Sequence, residues 1–165
     1  MNRILSSVAL AFICLFPVYG QMAWNAKYQN YFNQYKDLAI EQMLKYRIPA
    51  SITLAQGVFE SGAGYSDLAR NGNNHFGIKC HGWQGRKTYH DDDARNECFR
   101  AYDSPGQSYE DHSKFLVQSQ RYRRLFSLKI TDYKGWAHGL KACGYATNPA
   151  YAKKLIDIIE LYKLY

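Results

Sequence analysis

Apolar residues recur at steps of three and four from Tyr28 to Met43: Tyr28, Tyr31, Phe32, Tyr35, Leu38, Ala39 and Met43. That spacing lines one face of a helix, so it predicts a long amphipathic helix over residues 25–47. Ile48–Pro49 ends it, because a residue before proline avoids the helical region. Pro49 then opens a second helix that runs to about Ser61, with Ile52, Ala55, Val58 and Phe59 facing inward. Gly62 and Gly64 close it. Residues 66–70 make at most a short helical turn, and Asn71–Gly72–Asn73–Asn74 is a turn cluster.

The pattern changes between residues 75 and 102. Three short β-leaning runs, 75–80, 86–91 and 97–102, are separated by His81–Gly82–Trp83–Gln84–Gly85 and by the polar stretch Asp92 to Asn96. They predict a small antiparallel sheet or hairpin inserted in a helical protein. Helices resume after Ser104–Pro105. Residues 107–119 carry Tyr109, His112, Phe115 and Leu116 on one face, and a turn follows at residues 122–126. Asp132 reads as an N-cap for a helix through Ala142. A last helix begins around Thr147–Asn148–Pro149, with a core face of Tyr151, Ala152, Leu155, Ile158, Ile159 and Tyr162. The fold class is α+β: mostly helices, with a small β lobe in the middle of the chain.

The first twenty residues stand apart. Arg3 precedes a mostly apolar run from Ile4 to Pro17, and Val18 and Gly20 place small residues at the −3 and −1 positions of a cleavage site. Residues 1–20 therefore read as a secretory signal peptide, with a run too short for a stable membrane span. Cys14 follows Ile13 and not a small residue, which argues against a lipoprotein. The domain expected is residues 21–165, about 145 residues and enough for one core.

Removing that leader takes away Arg3 and no acidic residue, which lowers the formal charge from +7 to +6. A basic protein is drawn to polyanions. Export makes nucleic acid an improbable partner and favours an acidic wall or surface polymer outside the cytoplasm, in the periplasm or the medium. Aromatic residues reach 16%, with 15 Tyr among them, and tyrosine suits the wall of a polar groove. Arg121, Arg123 and Arg124 form a basic knot that reads as a polyanion site or as a solvated helix face. Of the cysteines left, Cys80 and Cys98 bracket the predicted hairpin and are expected to pair, leaving Cys143 as a buried free thiol. No cluster of His and Cys has ligand spacing, the Asp91–Asp93 run lacks the spaced oxygens of a calcium loop, and neither metal nor cofactor is expected.

Glu60 carries the most chemistry. It ends an otherwise apolar helix, after Val58–Phe59 and before Ser61–Gly62–Ala63–Gly64. Low dielectric and the negative end of the helix dipole both disfavour the anion and raise the carboxyl pKa. A raised pKa suits a general acid at neutral pH. A plain surface residue at a helix terminus is the other reading of the same position.

Four blocks extend this picture. They are residues 55–66 (Ala-Gln-Gly-Val-Phe-Glu-Ser-Gly-Ala-Gly-Tyr-Ser), residues 74–79 (Asn-His-Phe-Gly-Ile-Lys), residues 99–104 (Phe-Arg-Ala-Tyr-Asp-Ser) and residues 144–155, which begin Gly-Tyr-Ala-Thr-Asn-Pro-Ala-Tyr-Ala. In this order they resemble the signature blocks of glycoside hydrolase family 73, bacterial β-N-acetylglucosaminidases, and the resemblance spans about residues 34–162. It implies a lysozyme-like fold, a helical lobe and a β lobe around a sugar-binding cleft. It implies hydrolysis of the β-1,4 bond between N-acetylglucosamine and N-acetylmuramic acid in peptidoglycan glycan strands. The protein is expected to be a monomer.

The resemblance also assigns residues. The family's essential glutamate falls on Glu60 as proton donor, and its functional tyrosine on Tyr151 or Tyr145, with Tyr151 preferred. A second carboxylate is expected on the β-lobe hairpin: Asp92 first, Asp91 and Asp93 close behind, Glu97 as the alternative. From their own chemistry, and not from the resemblance, Asn74 and His75 are expected to hydrogen-bond N-acetyl groups and Trp83, in its Gly-flanked loop, to stack on a sugar or to fill the lobe core; Phe76 and Tyr145 complete the expected substrate-binding set. The chain departs from the family at Asn148, where Asp is frequent, and at Ala63, where Trp is frequent and whose loss would remove an aromatic wall. A muramidase, a lytic transglycosylase and a wall-binding module without turnover are the alternative functions.

Overall fold

A computed structural model describes residues 22–92 and 94–165. The expected signal peptide, residues 1–20, lies outside the described residues, as does Asp93. Helix α1 spans Ala26–Tyr46, capped by the Asn25 side chain, which accepts from Lys27 N at 2.9 Å. Helix α2 is Ala50–Glu60, and every residue from Ser51 to Val58 is buried. It is therefore the central helix of the core, packed by α1 on one side and by α5 and α6 on the other. Short α3, Asp67–Gly72, is capped by Ser66, whose Oγ accepts from Ala69 N.

The β lobe is smaller than the sequence predicts. Strands β1, Lys87–His90, and β2, Glu97–Arg100, pair antiparallel with Lys87 opposite Arg100 and His90 opposite Glu97. The run 75–80 adds only a single bridge, Lys79 to Phe99, and is not a strand. Its backbone is turned by Gly77 at a φ of 62° and tied down by Asn74 instead. Cys80 and Cys98 are bonded, joining that run to β2. Cys143 is a free thiol, half-buried and not fully enclosed.

Helix α4, Pro105–Gln118, starts two residues earlier than the apolar pattern suggests, because Ser104 caps it and Pro105 takes the first helical position. A 3-10 segment, Gln120–Ser127, leads to α5, Tyr133–Ala142, whose Asp132 cap accepts from Gly135 N at 2.9 Å. Helix α6 is Tyr151–Leu161, and its Tyr151, Ala152, Leu155, Ile158 and Ile159 are buried against α2 and α5. Trp136 and Leu140 complete that core from α5. No described helix is long and apolar enough to cross a membrane.

Candidate active site

A cleft of about 600 Å³ separates the helical lobe from the β lobe. Its helical wall is Phe59 and Glu60 from the end of α2, Phe115 from α4, the segment Tyr145–Asn148, and Tyr151 from the start of α6. Its β wall is Phe76–Lys79, His90, Asp92 and Phe99. Among the described residues, Glu60 and Asp92 are the carboxylates on this lining.

Glu60 is placed by the way α2 ends. Ser61 Oγ donates to Gly57 O at 2.6 Å and accepts from Gly64 N at 2.7 Å, which closes the helix in a tight cap. Gly62, Ala63 and Gly64 all take positive φ (56°, 60° and 82°), so the chain turns away sharply and leaves Glu60 at the cleft edge. Burial pushes the Glu60 carboxyl up to about 7. A hydrogen bond donated by the Tyr151 phenol opposes the rise, and the charge of Asp92 adds to it. A carboxyl held near neutrality can give up a proton and take it back within one turnover.

Tyr151 is fully buried. It lies stacked with Tyr145, ring centroids 5.7 Å apart, and edge-on to Phe59 at 5.9 Å. Gln56 Nε2 donates to its hydroxyl at 3.0 Å. Both Tyr145 and Tyr151 line the cleft, and only Tyr151 bonds Glu60. Phe76 forms part of the opposite wall, backed by the ring of His112 at 3.9 Å and nearly parallel to it.

Asp92 stands on the loop between β1 and β2. The loop is shaped by Asp91, whose Oδ1 accepts from Asn96 N at 2.7 Å, and by Asp92 N donating to Ala94 O. Asp91 thus caps its own turn. Glu97 faces Lys79, with both carboxylate oxygens 3.0 Å from its Nζ, and is not on the cleft lining. Asp92 reaches the same ammonium at 3.4 Å.

Three expected substrate-binding residues sit elsewhere. Asn74 is buried: its amide donates to Ile78 O and Arg100 O, and its Oδ1 accepts from Ile78 N. It holds the loop that carries Phe76. His75 is buried against Tyr31, with Nδ1 3.0 Å from that hydroxyl, and burial pushes its imidazole down to about 4. Trp83 donates its indole N–H to Arg86 O and lies under the Arg100 guanidinium, away from the cleft. Ala63 is 7% exposed and packs in the core, so this position contributes no wall to the cleft.

Other lining residues, among them Ser66, Leu68, His81, His90, Phe99, Phe115 and Thr147, were not expected at the site from the sequence. Asn148 lines the cleft too; its Oδ1 accepts from Ala150 N at 2.9 Å, a role Asp would fill equally. Gln56 was missed as well, although it lies four residues before Glu60 and so on the same helical face. No group of His, Cys, Asp and Glu among the described residues could hold a metal ion.

A model of the glucosaminidase family, described as mannosyl-glycoprotein endo-beta-N-acetylglucosaminidase, matches residues 36–164. The exo-glucosaminidase LytG of Bacillus subtilis is 34% identical over 132 residues, 73% of this chain and 46% of LytG. The peptidoglycan hydrolase FlgJ of Vibrio cholerae is 33% identical over 138 residues, 70% of this chain and 40% of FlgJ. The chain thus spans less than half the length of either relative. The glycoside hydrolase domain of Salmonella typhimurium FlgJ superposes with a TM-score of 0.69 at 28% identity, covering 82% of this chain and 88% of that domain. That similarity fits a lysozyme-like arrangement of the two lobes.

Proposed function

The chain belongs to the glucosaminidase family, glycoside hydrolase family 73, and from that premise we propose that it is an exported peptidoglycan hydrolase cutting the β-1,4 bond between N-acetylglucosamine and N-acetylmuramic acid. It acts as an endo-β-N-acetylglucosaminidase. The observation that carries this reading is Glu60, seated in the interlobe cleft with its carboxyl pushed up to about 7 and bonded by Tyr151. In that state it is protonated near neutrality and gives its proton to the glycosidic oxygen as the bond breaks. Asp92, on the opposite lobe, accepts the proton of the attacking water. The Tyr145–Asn148 segment and Phe76 frame the sugar between them.

Two features support export. The Cys80–Cys98 bridge belongs in an oxidising compartment, which makes the destination the periplasm or the medium. Without the leader the formal charge is +6, from 20 Lys and Arg against 14 Asp and Glu, and it draws the protein to an acidic wall.

Digestion of purified peptidoglycan, followed by mass spectrometry of the products, tests the reaction. Fragments with N-acetylglucosamine at the reducing end are expected. Reducing muramic acid would make the enzyme a muramidase, and anhydro-muramic acid a lytic transglycosylase. Release of single sugars only would make it exo-acting. Glu60→Gln is expected to abolish wall clearing; retained clearing would end the assignment of Glu60. Binding of wall by the unaltered chain with no product at all would make it a binding module.

A further inference from the structure

We propose that Gln56 is a positioning residue for the acid, acting through Tyr151: its amide occupies the phenol oxygen so that the phenol hydrogen is committed to Glu60. This rests on Glu60 being the proton donor.

The argument is one of hydrogen-bond supply. A tyrosine hydroxyl has a single hydrogen and accepts through its oxygen. Gln56 Nε2, 3.0 Å away, can only donate, so it takes an acceptor position on that oxygen. The phenol hydrogen is left for its other partner, the Glu60 carboxylate. Gln56 and Glu60 belong to the same helix, one turn apart, and Tyr151 comes from α6. The phenol is therefore clamped between two points of one rigid element, and Tyr145 and Phe59 fix its ring.

Packing alone is a poor reason for the residue. Gln56 is fully buried, and its Oε1 meets no hydrogen-bond partner among the described residues. An apolar side chain of the same length would fill the space without leaving a buried oxygen unsatisfied. The amide supplies a donor at the one place where a donor dictates the direction of the Tyr151 hydrogen. An acceptor there would draw that hydrogen off Glu60.

The test is steady-state kinetics on solubilised glycan strands across pH for Gln56→Met, Tyr151→Phe, the double variant and Gln56→Glu. Gln56→Met is expected to lower kcat roughly tenfold with KM unchanged, a modest part of the ~10²–10⁴ that a positioned acid supplies. Its basic limb should move to higher pH, because a carboxylate that loses a donated hydrogen bond binds its proton more tightly. Tyr151→Phe should move the limb the same way, and adding Gln56→Met to it should change nothing further. Gln56→Glu, which supplies an acceptor, should be worse than Gln56→Met. Wild-type kcat and pH profile in a folded Gln56→Met, or effects of the two residues that multiply, would overturn the proposal. If Gln56→Met does not fold, Tyr151→Phe decides alone: an unmoved basic limb overturns it. Glu60→Gln is assayed beside them. If that variant still clears wall, the reading of the acid fails and this one with it. If it is dead while Gln56→Met behaves as wild type, only the role of Gln56 fails.

Discussion

Asp92 faces Glu60 from the opposite lobe, near enough that its negative charge adds to burial in holding the Glu60 carboxyl up. The two residues come from different lobes: one ends the most buried helix, the other rides an exposed hairpin turn, with half its side chain in solvent. Replacing Asp92 by Asn should therefore have two separable effects. Loss of the proton acceptor should lower kcat by about 10² or more. Loss of the charge should let Glu60 ionise more easily, so the basic limb of the residual activity should move to lower pH, opposite to the shift expected for Tyr151→Phe. Melting should barely change, because the contact of Asp92 with Lys79 is solvent-exposed and such pairs contribute little. A pH–rate profile of Asp92→Asn with its basic limb unmoved or raised would show that the two carboxyls do not sense each other.

The same acid should destabilise the fold at alkaline pH. The folded Glu60 carboxyl titrates near 7, against an ordinary value of 4.5. A carboxyl raised on folding keeps its full contribution below its unfolded pKa and loses it as pH climbs through the folded one. At pH 8 the loss is about 3 kcal/mol by linkage arithmetic. Glu60→Gln, uncharged throughout, should therefore be more stable than the parent at pH 8, with the difference gone by pH 4. Urea unfolding at the two pH values measures it. Equal stability at pH 8 would mean that the carboxyl is not strained by burial at all.

Most of this arrangement was legible in the residues, for identifiable reasons. Helices α1, α2, α5 and α6 announce themselves through period, cap and breaker, because each buries one stripe and its ends follow local rules: Asp132 caps, Pro49 opens. Glu60 stands out because a carboxylate that follows an apolar run is locally anomalous. The β lobe was harder. Residues 75–80 have the composition of a strand, but backbone pairing is decided by what arrives opposite, and Asn74 satisfies that backbone with its own side chain. His75 and Trp83 are polar or amphipathic residues in a loop, a setting that reads as a binding surface. Only the fold reveals that Tyr31 and Arg100 cover them.

Gly57 should prove intolerant of the smallest change. A Cβ built there would lie 2.5 Å from the Tyr31 hydroxyl and 3.2 Å from that of Tyr109. Those hydroxyls are bonded to each other at 2.9 Å, and Tyr31 is bonded to His75 at 3.0 Å, all in the core between α1, α2 and α4. Gly to Ala in a helix normally gains up to about 1 kcal/mol. Here the methyl would have to push a buried hydrogen-bonded chain apart, and overpacking of that kind costs about 1–3 kcal/mol, with lost hydrogen bonds in addition. The clash wins, and Gly57→Ala should melt several degrees lower, about 2–4 °C per kcal/mol for a domain of this size. A melt equal to or above that of the parent would mean that the tyrosines have room to withdraw.

His112 should set much of the acid sensitivity. Its ring is fully buried, stacked on Phe76 at 3.9 Å, and neither ring nitrogen has a hydrogen-bond partner among the described residues. Burial pushes the imidazole down to about 3 from its ordinary 6.5. A group depressed on folding contributes fully above its unfolded pKa, and that contribution drains away as pH falls toward the folded one. The window is therefore about pH 6.5 to 3, and the loss already amounts to about 2 kcal/mol at pH 5. His75, pushed down to about 4, acts in the same direction, whereas Glu60 acts against both. His112→Leu is close in volume and carries nothing to protonate or leave unpaired. Its stability should fall less than the parent's between pH 7 and pH 5, by roughly those 2 kcal/mol, as read from urea midpoints at the two pH values. Parallel losses in parent and variant would place the acid-sensitive group elsewhere, with His75 the next to replace.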